Sequence, residues 1–201
     1  MSQDRLVIRG GRALSGTIVP SGNKNAALPI LAACLLTDEE VVLENVPDIL
    51  DVHVMLALLD DLGVSVRDEG PNSLALKAGD VRTTQLDPDL CRRLRASLLL
   101  AGPLLARCGQ VELPLAGGDF IGRRRVDTHL LAFRGLGAET EVERSYTMRH
   151  AGLSGAEIFL DEASVTATEN ALMAAVTATG RTVILNAASE PHVQDLAHFL
   201  N

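Results

Sequence analysis

Lys24 and Asn25 lie between a Ser-Gly turn and an apolar run, in the stretch Ser21-Gly22-Asn23-Lys24-Asn25-Ala26-Ala27-Leu28-Pro29-Ile30. Proline is tolerated in a first helical turn, where amide donors have no intrahelical partner. The pattern therefore predicts a helix from about Asn25 to Leu36, with Pro29 in its first turn and Lys24 and Asn25 at its start. Unpaired N–H groups and the positive end of the helix dipole favour an anion there. A cation beside an amide donor suits a phosphate or carboxylate ligand. It also suits a capped core helix with a solvated lysine.

A second set of residues carries the same chemistry. Seven arginines and only two acids, Glu112 and Asp119, fall between Arg92 and Arg125. Arg92, Arg93 and Arg95 open one helical run, and Arg123, Arg124 and Arg125 follow the loop Gly117-Gly118-Asp119-Phe120-Ile121-Gly122. The planar guanidinium fork binds phosphate or carboxylate at two points. One small polyanionic ligand and a set of solvated, acid-paired arginines both fit this clustering. The glycines make the loop permissive in backbone, as in active-site lids. Asp119 suits a general acid if burial or a neighbouring anion raises its pKa, and equally a turn aspartate. Asp127 suits a ligand acceptor or a helix N-cap, and His129 has no evident partner in sequence.

The elements that must position these groups recur along the chain. Unit one reads as a helix at 25–36, a strand at Val41–Leu43, a turn at 45–48, an amphipathic helix at 51–62 stopped by Gly63, and a strand at Val64–Val66. Unit two reads as one long helix from Asp87-Pro88 to about Arg107, a strand at Val111–Leu113, a helix ending at Leu136-Gly137, and a strand at Thr140–Val142. The pair Leu62-Gly63 returns as Leu136-Gly137, 74 residues later. Unit three begins with a strand at Glu157–Leu160. A helix at 167–178 follows, with Asn170 in a place resembling that of Asn25, then a strand at Thr182–Asn186 and a helix from Pro191. The sequence ends within that helix. An unfinished third unit would expose an unpaired strand edge, which is the mark of a piece of something longer. First helices apolar on all sides belong inside, and second helices with one charged face belong outside.

Composition excludes several classes. A formal net charge of -8 opposes non-specific nucleic-acid binding. No apolar run reaches membrane-spanning length, and residues 1–5 lack a signal-peptide core. Cys34, Cys91 and Cys108 have no metal-binding spacing, so reduced thiols of a cytoplasmic protein are the simplest reading.

These residues resemble those of the enolpyruvyl transferases, specifically the UDP-N-acetylglucosamine 1-carboxyvinyltransferases. The resemblance rests on Ser21 to Leu31, on Arg95-Ala96-Ser97, on Gly117 to Asp127, and on the segment from Glu190-Pro191 to Asn201. It extends over about the N-terminal half of the family's usual length. It implies an α/β fold, an inside-out α/β barrel of βαβαββ repeats whose last repeat is truncated here. Residues 1–20 would form a leading strand segment packing with a second domain, and 21–201 an incomplete first domain. It implies transfer of the enolpyruvyl group of phosphoenolpyruvate to the 3′-hydroxyl of UDP-N-acetylglucosamine in peptidoglycan synthesis, through a tetrahedral intermediate. No metal or cofactor is implied.

By the same resemblance, Lys24, Arg95 and Arg124 hold the phosphoenolpyruvate anion and Asn25 contacts the reacting groups. Asp119 takes the catalytic loop position, where cysteine is usual. Aspartate there can still deliver a proton to C3, but it lacks the thiol that fosfomycin alkylates. Arg124, Arg125, Val126, Asp127 and Thr128 match the uridine-binding stretch, with Arg125 where proline is usual. Ser164 and Val165 match a diphosphate-contacting stretch, preceded by Glu162 where lysine is frequent. The family's general base lies in the second domain, so this chain alone is expected to turn over little or no substrate. Two other readings stay open: a related shikimate-pathway enolpyruvyl transferase fragment, and a stand-alone nucleotide-sugar binding module without chemistry.

Overall fold

The computed structural model of the chain describes residues 5–114 and 125–201. Residues 5–20 carry no regular secondary structure, and Leu6, Val7, Ile8, Leu14, Ile18 and Val19 are all exposed. From there the three expected units appear in order. Unit one holds α1 (Lys24–Ala33), a 3-10 turn (Cys34–Leu36), β1 (Glu40–Leu43), α2 (Leu50–Asp61), β2 (Ser65–Gly70) and β3 (Ser73–Lys77). Unit two holds α3 (Pro88–Arg93), a 3-10 segment (Arg95–Leu100), α4 (Ala101–Cys108), β4 (Gln110–Pro114), α5 (Asp127–Gly135), β5 (Glu139–Val142) and β6 (Ser145–Arg149). Unit three holds β7 (Glu157–Phe159), α6 (Val165–Ala175), β8 (Val183–Leu185) and α7 (Pro191–Phe199).

The helices of the first kind lie inside. Helix α6 packs on α4 and the 3-10 segment, and α1 packs on that segment too. Their buried faces are mostly aliphatic, with Leu28, Leu31, Ala32, Leu104, Leu105, Ala171 and Ala174 among the core, and Phe133 of α5 packs against them as a buried aromatic. Helices α2 and α5 cover this core from outside. Both stop on the same device. Gly63 (φ 101°) and Gly137 (φ 93°) take the left-handed conformation that glycine adopts without penalty. The amide three positions past each helix then returns to its last turn, Val64 N to Leu59 O and Ala138 N to Phe133 O.

The strands form small outer sheets in the orders β1-β3-β2 and β4-β6-β5, antiparallel throughout, and a parallel pair β7-β8. Among the described residues these sheets remain separate, with no continuous barrel wall. The third strand of units one and two lies between the other two, so both its edges are paired. A leading segment also precedes unit two, where Gln85 bridges Glu112 in parallel, as β7 does to β8.

Three expectations change. The long helix of 87–107 is broken, because Leu94 is extended (φ -137°, ψ 109°) and a 3-10 stretch follows it. Pro103 has no N–H for the Leu99 carbonyl, which favours a fresh start at Ala101. Pro29 lies in the interior of α1 rather than in its first turn, since the helix starts at Lys24. Asn170 is no counterpart of Asn25. It is buried and stitches the inner helices, with Nδ2 donating to Leu98 O and Thr166 O and Oδ1 accepting from Gly102 N. A Cβ at residue 102 would lie 2.6 Å from Asn170 O, so glycine permits this approach.

Candidate functional site

The expected site residues fall at the starts of inner and outer helices. The first corner is built by Gly22 and Asn23. A Cβ at residue 22 would collide with the Asn45 carbonyl, so only glycine lets the chain pass there into α1. Asn23 caps the helix, its Oδ1 accepting from Asn25 N at 2.7 Å. Lys24 and Asn25 are exposed on the first turn. Lys24 Nζ donates to Asp51 Oδ2 at 2.8 Å, from the first turn of α2, so two helix starts meet across one ion pair. Pro29 cannot donate to the Asn25 carbonyl, which leaves that oxygen outside the helical ladder.

The second corner joins α5, α6 and the 3-10 segment. Arg125 donates to Asp127 Oδ2 at 2.9 Å and to Asp161 Oδ2 at 3.4 Å. Asp161 Oδ1 accepts from Thr128 Oγ1 at 2.7 Å. His129 Nε2 lies 2.9 Å from Thr166 Oγ1. Ser164 caps α6, its hydroxyl accepting from Ala167 N at 3.4 Å, and Val165 begins that helix, half-buried. Arg95, half-buried, lies close enough for its charge to act on His129. Asp127 is the first residue of α5 and not its cap; Val126 holds the cap position and brings no side-chain hydrogen bond to it.

Burial divides the uridine stretch. Arg125 and Asp127 are exposed, whereas Val126 and Thr128 are buried, so the latter two present no side chain to a ligand at the surface. The arginine cluster also divides. Arg92 pairs with Asp89, and Arg125 with its two acids. Arg107 is structural, donating to the carbonyls of Leu35, Thr37 and Gly79 at 2.8–3.0 Å and tying unit two to unit one. Arg93 is exposed. A single seven-arginine anion site is therefore excluded. Asp119, Arg123 and Arg124 lie outside the described residues; of the three cations expected to meet, Lys24 and Arg95 are described. They open α1 and the 3-10 segment packed against it.

Sequence reading passed over Asp51, Asp161 and Glu169. Glu169, 2% exposed on α6, has an Oε1 without a partner among the described residues. Burial, with Glu190 adding to it, pushes its carboxyl up to about 8. An acid inside an apolar helix was the visible signal. The cysteines carry no disulfide; Cys34 and Cys91 are buried and Cys108 half-buried, and burial raises Cys34 to about 12. Among the described residues, no three His, Cys, Asp or Glu gather as a metal site, and no helix is long and apolar enough to cross a membrane.

The sequence matches a protein family described as EPSP synthase (3-phosphoshikimate 1-carboxyvinyltransferase) over residues 8–201. It is 56% identical over 200 residues to the UDP-N-acetylglucosamine 1-carboxyvinyltransferase of Bradyrhizobium diazoefficiens, covering all of this chain and 46% of that protein. The protein of the same name from Treponema denticola is 52% identical, with 97% of this chain and 46% of that protein covered. Among solved structures, the enolpyruvyl transferase NikO from Streptomyces tendae matches with a TM-score of 0.79 at 25% identity, over 95% of this chain and 45% of that one. EPSP synthase from Acinetobacter baumannii shares the fold at a TM-score of 0.70 and 16% identity, over 89% of this chain and 42% of that one. The chain spans about half the length of the curated relatives it matches.

Proposed function

The chain belongs to the EPSP synthase family, and from that premise we propose that it is the N-terminal half of a UDP-N-acetylglucosamine 1-carboxyvinyltransferase. The reading is carried by identity of 46–56% to proteins of that name along the whole chain. The complete protein would transfer the enolpyruvyl group of phosphoenolpyruvate to the 3′-hydroxyl of UDP-N-acetylglucosamine. That step belongs to peptidoglycan synthesis and so to the cytoplasm, cell shape and cell division. Neither a nucleic acid nor a membrane is a partner in it.

In this mechanism a proton reaches C3 of phosphoenolpyruvate, cationic character appears at C2, and the sugar hydroxyl attacks it. The tetrahedral intermediate then loses phosphate from C2 and a proton from C3. Lys24, Arg95 and Arg124 hold the anion and meet its moving charge, with Asn25 beside the reacting groups. Asp119 supplies the C3 proton, its pKa lifted by the substrate's negative charge. Arg124, Arg125, Val126, Asp127 and Thr128 receive the uridine, and Ser164 and Val165 meet the diphosphate at the start of α6. Residues 1–20 and the exposed apolar side chains within them pack against a C-terminal domain, which also supplies the general base. The chain alone is then nearly inactive.

Titration calorimetry with UDP-N-acetylglucosamine and, separately, shikimate 3-phosphate tests the assignment. Heat of binding with the first alone is expected; binding of the second alone would transfer the chain to the shikimate branch. In the complete protein, Asp119→Ala is expected to abolish turnover and spare nucleotide binding, and Asp119→Cys to keep activity and gain fosfomycin sensitivity. An active Ala variant would remove Asp119 from the mechanism.

A further inference from the structure

Lys24 Nζ and Asp51 Oδ2 meet at 2.8 Å, each side chain reaching from the first turn of its own helix. Helices α1 and α2 pack on each other, so the backbones that carry the pair are fixed. The side chains themselves stay open to solvent. Among the described residues, Lys24 Nζ has no other hydrogen bond or ion pair. Asp48, the other acid beside the start of α2, is taken by His53 Nε2 at 2.7 Å. Asp51 is therefore the anion that Lys24 holds in the free protein.

A carboxylate has a second reason to sit there. Ile49 occupies the cap position of α2 and brings no side-chain hydrogen bond to it. Asp51 supplies the negative charge that the positive end of this helix favours. That interaction survives when Lys24 turns to another anion, and an exposed ion pair is itself weak. Release is easy, but it has consequences. The freed carboxylate remains within a Debye length of whatever Lys24 holds next, and like charges repel across that distance. The ordering that Asp51 imposes on the flexible lysine stem is already contained in the weak net strength of the pair. What remains after the pair breaks is repulsion, so the net effect of Asp51 is to loosen the incoming anion.

We propose that Asp51 is a positioning residue for Lys24 and an internal stand-in for the substrate anion: it holds Nζ at the start of α1 in the free protein, yields it when an anion binds, and limits how tightly that anion is kept. Inorganic phosphate, a product of the proposed transfer, then leaves more readily. The proposal rests on the role given above to Lys24 in holding phosphoenolpyruvate.

Lys24 and Lys77 are the lysines of the chain, and Lys77 is exposed at the end of β3. The side-chain ammonium signals of 15N-lysine-labelled protein therefore separate the site from a control. In the free chain, Asp51→Asn is expected to shift the Lys24 signal and leave that of Lys77 in place. An unmoved Lys24 signal overturns the proposal, because the pair would not exist in solution. Titration with inorganic phosphate, and separately with phosphoenolpyruvate, is then followed at Lys24 under constant ionic strength. Asp51→Asn is expected to lower the titration midpoint about fivefold, and Asp51→Glu, which keeps the charge, to stay within about twofold of the wild type. A merely structural Asp51 would give weaker or equal binding in Asp51→Asn. That outcome overturns the proposal and leaves Lys24 as an anion holder. Equal tightening in Asp51→Glu and Asp51→Asn overturns it as well, since charge would not be the cause. A Lys24 signal that answers neither anion in any variant removes Lys24 from the functional reading, and the proposal falls with it.

Discussion

The Lys24 corner and the His129 corner are built from the same materials and hold them differently. At the first, Lys24 and Asp51 are 49% and 36% exposed and meet in a single ion pair. Exposed pairs of this kind contribute about 0–1 kcal/mol, so an incoming anion can replace Asp51 at little cost. At the second, Thr128 and His129 are buried, and the hydroxyl and the ring each already have a protein partner. Those groups set the shape of the corner, and the exposed Arg125 and Asp127 face outward from it. The contrast separates residues available to exchange partners from residues that keep the exchangeable ones in place.

Gly22→Ala breaks the contrast most forcefully, by damaging the exposed corner from beneath. The added Cβ meets the backbone of Asn45 rather than a movable side chain, so a loss of at least ~2 kcal/mol is expected. A fall in the thermal midpoint of about 5–10 °C checks it; an unchanged midpoint would mean that the chain enters α1 by another path.

Two buried ionisable groups give the interior a pH signature with opposite signs. Folded Glu169 keeps its proton to about pH 8 against an ordinary 4.5, so the unfolded chain binds fewer protons between those values. This group's contribution therefore lowers stability as pH rises from about 4.5 to 8. Folded His129 releases its proton near 4 against an ordinary 6.5, so the unfolded chain binds more protons in that window. Its contribution lowers stability as pH falls from 6.5 to 4. Glu169→Gln is expected to raise stability at pH 8–9 by about 1–3 kcal/mol and to leave the acid-side loss in place. Urea melts across pH 4–9 check both slopes.

Thr128→Val keeps the shape and removes the hydrogen bond to Asp161. The expected cost is about 1–2 kcal/mol, with a matching downward shift of the urea midpoint; no shift would mean that Arg125 alone holds Asp161. Asp51→Asn is the mildest change. Stability is expected to move by less than about 0.5 kcal/mol, while phosphoenolpyruvate affinity in the complete protein changes measurably because Lys24 loses its competitor. A large loss of stability would make the two corners alike.

Much of this organisation was legible in the sequence because it is written in local chemistry. Leu62-Gly63 and Leu136-Gly137 announced identical helix stops, since a left-handed residue after a helix favours glycine wherever it occurs. The all-apolar first helices announced their burial. The break at Leu94 was hidden because every neighbouring residue favours a helix, and only Pro103 hinted at a restart. Middle strands β3 and β6 are short and partly polar, and their central place comes from pairing on both edges. At the site, Lys24 and Asn25 were placed correctly at a helix start, but the cap is Asn23. Arg107 reads like its neighbours, yet its partners are carbonyls 28 to 72 residues away. The Thr128–Asp161 and His129–Thr166 contacts are likewise tertiary, and no spacing rule announces them.

The central claim is that Lys24, Arg95 and the start of α5 belong to half of a transferase acting on a nucleotide sugar. Phosphate release from phosphoenolpyruvate, measured after mixing this chain with a separately produced C-terminal half, tests it most directly. The account predicts release with UDP-N-acetylglucosamine as acceptor, only when both halves are present. Release with shikimate 3-phosphate instead, or none with either acceptor from two folded halves, would contradict it.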